Sequence, residues 1–253
     1  MPVEPTSKTE EMQDYNRKAR NELRAWQRQM QRSPSFVNNL TRKLQVRINK
    51  IIPEKLHAAI TSAIKQMIKA VLFGAGFTSA KPTPVVSLEM TEALLNERIG
   101  VYKKTAAAEG GLTGAGGILL AFADFPLLIG IKIKMLFDIA GRYGFDVKDY
   151  KERVFILQIF QLAFSSHEHR KNVYMQMTNW KTKAAAFPQD INEFDWRNFQ
   201  QEYRDYIDLA KLAQLIPVIG AAVGLVVNYR LLKKLGHTAM NAYRMRLDEE
   251  GSL

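Results

Sequence analysis

Three places in this 253-residue chain bring together side chains able to do chemistry. His167-Glu168-His169 has the composition of a metal-ligand cluster, and Glu54-Lys-Leu-His57 has the ExxH spacing of di-iron bundles. Asp124 is the single charge in the apolar stretch Gly110 to Ile131, GGLTGAGGILLAFADFPLLIGI. Residues two apart on a helix point about 200° apart, so His167 and His169 do not share one helical face as the imidazoles of HExxH do. That spacing reads better as a solvated, polar helix start. A di-iron bundle needs a second ExxH and further glutamates, and no second ExxH occurs. The absence of cysteine excludes disulfides, thiolate zinc sites and cysteine nucleophiles, and suits a reducing interior. There is no GxSxG elbow, no GxxxxGK[ST] phosphate loop and no GxGxxG turn opening a helix after a strand. The residues imply no catalytic set, no metal and no cofactor.

Asp124 needs a physical account, because an ionised carboxylate among apolar neighbours is costly unless paired. Lys132 follows two helical turns later on roughly the same face. Asn228 and Arg230 border a second apolar segment, the uncharged Leu212 to Tyr229, LAQLIPVIGAAVGLVVNY. Two expectations stand: Asp124 clamps two glycine-rich helices together, or it caps a helix restarting at Pro126. A hydrolytic or lipid-modifying enzyme using Asp124 with a histidine is the reading from another class.

The elements that must position these residues read as helix almost throughout. Met12, Tyr15, Ala19, Leu23, Trp26 and Met30 fall on one face, with Arg17, Arg20, Arg24, Arg28 and Arg32 on the opposite one, which predicts a basic amphipathic helix. Ser33-Pro34 opens a second stripe of Val37, Leu40, Leu44, Ile48 and Ile51. Pro53 opens a third, Leu56, Ile60, Ile64, Met67 and Val71, ending near Gly74 and Gly76 before a turn-rich connector over 78–84. Ser87 caps a helix with Glu89 and Glu92 early and Lys103 and Lys104 late, as the helix dipole favours, running to Gly110-Gly111. Asp149 and Glu152 form a capping box for VFILQIFQLAF, a further helix passes through Tyr174 and Trp180 to Pro188, and Trp196, Phe199, Tyr203, Tyr206 and Ala210 keep helical spacing. No convincing strand and no 20–50-residue repeat is found. The fold class is all-α, a helical bundle in which two glycine-rich apolar segments pack together. It is expected to be one cooperative domain: a disordered terminus over 1–7, a basic helical region over 8–80 and a core over 81–253.

Composition places the chain among folded proteins, with 47% hydrophobic residues, 24% charged and a net charge of +11. The surplus is local: Arg17 to Lys55 holds eleven basic residues and two acidic ones, whereas Asp190 to Asp208 holds six acids against Arg197 and Arg204. Basic residues return at Arg230, Lys233, Lys234, Arg244 and Arg246. Cations bordering apolar stretches favour an anionic membrane surface over nucleic acid, whose binders interleave basic and stacking residues. Both apolar segments approach the roughly 17–25 residues that span a bilayer. Gly110 with Gly114, and Gly220 with Gly224, have the small-xxx-small spacing that lets helices approach closely. With Gly117, Asp124, Lys132 and Asn228 they define the expected hairpin contact and candidate pocket, inside the bilayer or inside a soluble core. Arg17, Arg20, Arg24, Arg28 and Trp26 are the expected membrane- or lipid-binding residues. The opening sixteen residues have no apolar h-region, so the expected location is cytoplasmic, peripheral to or partly inserted in the inner face of the cell membrane. A soluble binder of acidic protein or nucleic acid is the remaining alternative, and the oligomeric state is open.

Glu109-Gly-Gly-Leu-Thr-Gly-Ala-Gly-Gly, Ala-Asp124-Phe-Pro126 and Ile139-Ala-Gly-Arg-Tyr143-Gly144-Phe-Asp146 together resemble the central signature of the EcsC family. Ile216-Pro-Val-Ile-Gly220-Ala-Ala-Val-Gly224 with Asn228-Tyr-Arg230 is similar to its C-terminal segment, and Trp26 to Gly74, with Ile52-Pro-Glu-Lys55, is similar to Bacillus-type members. The resemblance covers most of the chain. It implies a protein without established catalytic activity, associated with an ABC transporter operon in Bacillus-like bacteria.

Overall fold

Apolar residues at helical spacing must find a common interior, and the computed structural model shows how eight helices among the described residues provide it. It describes residues 5–32, 54–73, 82–85, 87–114, 125–165, 169–195, 197 and 220–253. In chain order these form α1 (Pro5–Gln31), α2 (Glu54–Leu72), α3 (Leu88–Gly114), α4 (Phe125–Arg142), α5 (Tyr150–Phe164), α6 (Arg170–Met177), α7 (Trp180–Ala185) and α8 (Gly220–Glu249), with a 3₁₀ turn at Ile191–Glu193. No strand occurs among the described residues, so the all-α expectation holds.

The most extensive pairing joins α3 and α8 in antiparallel register. Glu92 meets Arg244, Ile99 meets Gly236, and Lys103 lies over the ring of Tyr229 at 4.9 Å. Gly236 permits the close approach: a Cβ there would sit 3.0 Å from Ile99 Cδ1, tighter than side chains ordinarily pack. α5 packs against α8, and its residues Val154 to Phe164 are all buried, as expected of a helix that is apolar around most of its circumference. α4 packs on α3, α8 and α5, and α2 closes the far side against α4 and α5. Ile64, Met67 and Val71 of the predicted α2 stripe are buried.

α1 lies across α3, α8 and α6 with Ala19, Leu23, Trp26 and Met30 turned inward. It begins at Pro5, so residues 5–7 of the terminus expected to be disordered are helical. The stripe over 37–51, the connector glycines Gly74 and Gly76, and the series from Trp196 to Ala210 lie outside the described residues.

Two local expectations are corrected. Asp149 does cap α5, its carboxylate accepting from the Lys151 backbone N–H at 2.9 Å, but Glu152 does not complete a capping box. It is buried and accepts from Tyr243 Oη at 2.7 Å, because a better partner reaches it from α8. The helix through Tyr174 and Trp180 is two helices. Asn179, at φ 51°, breaks it in the left-handed region that asparagine tolerates, and its N–H donates to Glu249 Oε1 at 2.8 Å.

Candidate functional site

Because α1 buries one face, the other is presented to solvent: Arg17, Arg20, Arg24, Arg28 and Arg32 are all exposed. Arg17 pairs with Asp14 on its own helix. Arg20 turns to one flank, donating to the Leu253 carbonyl and lying 3.9 Å from Asp248. Arg24, Arg28 and Arg32 have no ion-pair partner among the described residues. Trp26 corrects the expected lipid-contacting set: it is only 4% exposed and packs edge-on against Tyr174, with ring centroids 5.7 Å apart. An indole on the inward stripe gains more from the core than from water.

Two buried charge clusters lie inside the bundle, and the first of them holds this face in place. In the first, the fully buried Glu92 receives four donors from three elements. Arg244 Nε donates to Oε1 at 2.6 Å and Nη2 to Oε2 at 2.5 Å, a bidentate pair. Tyr143 donates to Oε1 and Tyr15 of α1 to Oε2, both at 2.7 Å. Arg244 Nη1 also donates to Glu22 Oε2 of α1 at 2.9 Å. Burial disfavours the charge on Arg244, but the hydrogen bonds and charge of Glu92 more than offset it and its pKa is raised. Burial, then Glu92, pushes the Tyr15 and Tyr143 hydroxyls up.

The second cluster pairs Glu152 with Tyr243 and Arg246. The Arg246 guanidinium lies 3.7 Å from the Phe145 ring centroid and 4.8 Å from that of Phe155, while Tyr243 stacks between Tyr143 and Phe145. Burial raises the Glu152 carboxyl, with Arg246 and Tyr243 opposing. Both clusters depend on the turn after α4. The N–H groups of Gly144 and Phe145 bond back to Gly141 and Ala140, a Schellman closure whose left-handed residue is Gly144 at φ 88°. That turn sends Tyr143 to Glu92 and Phe145 under Arg246.

The clusters redraw the charge map. Arg244 and Arg246, counted among the surplus bordering an apolar segment, are internal, and so is Glu92, expected to serve the helix dipole. The signal for Glu92 was its place on the stripe Leu88, Glu92, Leu95, Ile99. Asp138 was also missed: it is buried on α4, bonded by Tyr102, 3.6 Å from Arg98 and 3.9 Å from Lys134.

For the expected hairpin site, Gly110 and Gly114 end α3, and Gly220, Gly224 and Asn228 open α8, the two helices that pack most extensively. The surroundings of those five residues lie outside the described residues, as do Gly117 and Asp124. Lys132 is fully buried and engaged. Among the described residues no helix is long and apolar enough to cross a membrane, and no three His, Cys, Asp or Glu could hold a metal ion. His169 directly precedes α6, while His167 and Glu168, and the side chains of Glu54 and His57, lie outside them.

Fold and site define a class first: an all-helical protein whose outward feature is a cationic helix seated on a buried ion-pair cluster. The profile of the EcsC protein family matches residues 17–247. The chain is 46% identical over 226 residues to Protein EcsC of Bacillus subtilis (strain 168), which covers 89% of this chain and 93% of that protein. It is 31% identical over 165 residues to the uncharacterized protein YdbA of the same strain, covering 65% of this chain and 59% of that one. No solved structure matches. The chain belongs to the EcsC family.

Proposed function

We propose that this EcsC-family chain is a non-catalytic accessory protein that works by binding, its α1 arginines docking on the anionic cytoplasmic leaflet. The observation that carries the reading is the pairing state of α1. Arg24, Arg28 and Arg32 have no described carboxylate partner and ride on a helix fixed at Tyr15 and Glu22. A rigid row of cations pays little ordering entropy on contact, and each basic residue near an anionic leaflet contributes about 1 kcal/mol. Partnership with an ABC transporter, implied by the family resemblance, belongs to this reading, since docking would bring the chain to a membrane protein's cytoplasmic side.

The test is co-flotation of the full chain with phosphatidylcholine vesicles, with and without phosphatidylglycerol. Binding is expected only with the anionic lipid and is released by salt, because the contacts are screened over about 8–10 Å. Arg24→Gln with Arg28→Gln should weaken it by roughly 30-fold, about 2 kcal/mol. Equal binding to neutral vesicles, or none to either, overturns the reading.

A further inference from the structure

α8 carries a second cationic surface. Arg230, Lys234, His237, Asn241, Arg244 and Asp248 recur at alternating steps of four and three residues, so they share one face of that helix. α1 covers the C-terminal half of this face, with Glu22 at 2.9 Å from Arg244 and Arg20 at 3.9 Å from Asp248. Asn241 marks the border, buried and donating its amide to the His237 carbonyl at 2.9 Å. The N-terminal half is uncovered: Tyr229, Arg230, Lys233, Lys234 and His237 are exposed. Arg230 and Lys233 have no ion-pair partner among the described residues. Across the seam Lys103 lies over the Tyr229 ring, with Lys104 exposed beside it.

Orientation joins this surface to α1. α1 rests on the very face of α8 that holds these cations, and its outward arginines lie opposite its buried stripe. Both sets therefore look to the same side of the molecule, the α8 set recessed by about one helix packing distance, roughly 8–10 Å. That step matches the screening length at physiological salt and the reach of a lysine or arginine side chain. An anionic plane touching α1 would still be felt by α8.

We propose that Arg230, Lys233 and His237 of α8, with Lys103 of α3, form the second limb of a two-helix docking surface for an anionic phospholipid bilayer. The inference rests on the docking role of α1 given above. A bilayer fits better than nucleic acid because the surface is broad and cationic but lacks a stacking ladder. Trp26 faces inward, and the exposed ring of Tyr229 is covered by Lys103.

The experiment compares the full-length parent, Arg230→Gln with Lys233→Gln, Arg24→Gln with Arg28→Gln, and the fourfold variant. Each is titrated with phosphatidylcholine vesicles containing phosphatidylglycerol, and thermal unfolding checks that the fold is retained. The α8 pair is expected to lose roughly tenfold in affinity, less than the α1 pair because it is recessed, and the fourfold variant should multiply the two losses. If the α8 pair binds like the parent while the α1 pair is weakened, the second limb is overturned and the α1 reading stands. If the parent ignores the anionic lipid, both fall. If the α8 pair loses affinity for an oligonucleotide but not for vesicles, the surface serves nucleic acid and the proposal is overturned.

Discussion

Arg244 near the end of α8 and Arg24 on α1 are the same side chain in opposite situations. Arg244 is buried with every interaction directed at Glu92 and Glu22, whereas Arg24 faces solvent without a described partner. One set of arginines fastens the molecule and the other is left to meet something outside it. A charge total does not distinguish them; what does is whether the arginine lies on its helix's buried face and whether an acid faces it there.

Glu92→Ala strains this contrast most. It leaves the buried Arg244 with Glu22 alone and removes the acceptor of two tyrosine hydroxyls, so a loss of about 3 kcal/mol is expected in denaturant unfolding. A loss below about 1 kcal/mol would mean that Arg244 finds solvent, and the division between fastening and free arginines would fail. Glu152→Gln keeps an acceptor for Tyr243 but neutralises the partner of Arg246, which retains its aromatic stacking; about 2 kcal/mol is expected by the same measurement. For Arg24→Gln with Arg28→Gln, stability should stay within about 0.5 kcal/mol while vesicle affinity falls, and a larger loss would make α1's arginines structural.

The smallest effect concerns pH. His237 is exposed at one edge but partly shielded by its neighbours, and that partial desolvation, together with Arg244 and Lys233, lowers its pKa below 6.5, with Glu22 opposing. The folded state thus favours neutral His237: its contribution to stability is complete above pH 6.5 and is lost as pH falls through the depressed value. On an anionic surface the protonated form is favoured instead. Vesicle affinity should rise modestly on acidification below pH 6.5, and His237→Gln should flatten that rise.

The helical fold and α1's two-sidedness were legible in the sequence because both follow from 3.6-residue spacing. The clusters were not, because each rests on residues far apart in the chain: Glu92 with Arg244, and Glu152 with Tyr243 and Arg246. Glu92 sits on an apolar stripe, which hinted at burial, but α3 also carries charges and apolar residues around its other faces and blurs the stripe. Glu152 stood at the third position of a helix after Asp149, where a local role was the simpler reading. Trp26 was legible as an inward residue from its spacing alone; assigning it to lipid set aside the stripe to which it belongs.

The seat of α1 has a consequence for the order of assembly. Glu22 is synthesised well before its partner, since Arg244 lies 222 residues beyond it in the chain. α1 then has no finished place to rest until α8 has folded against α3. Such long-range closure is slow compared with helix formation, so α1 waits as an unseated amphipathic helix while the rest of the chain is synthesised. The arginine row becomes a fixed surface at the end of folding, and a chain cut short before α8 would carry its positive charge without the frame that aims it.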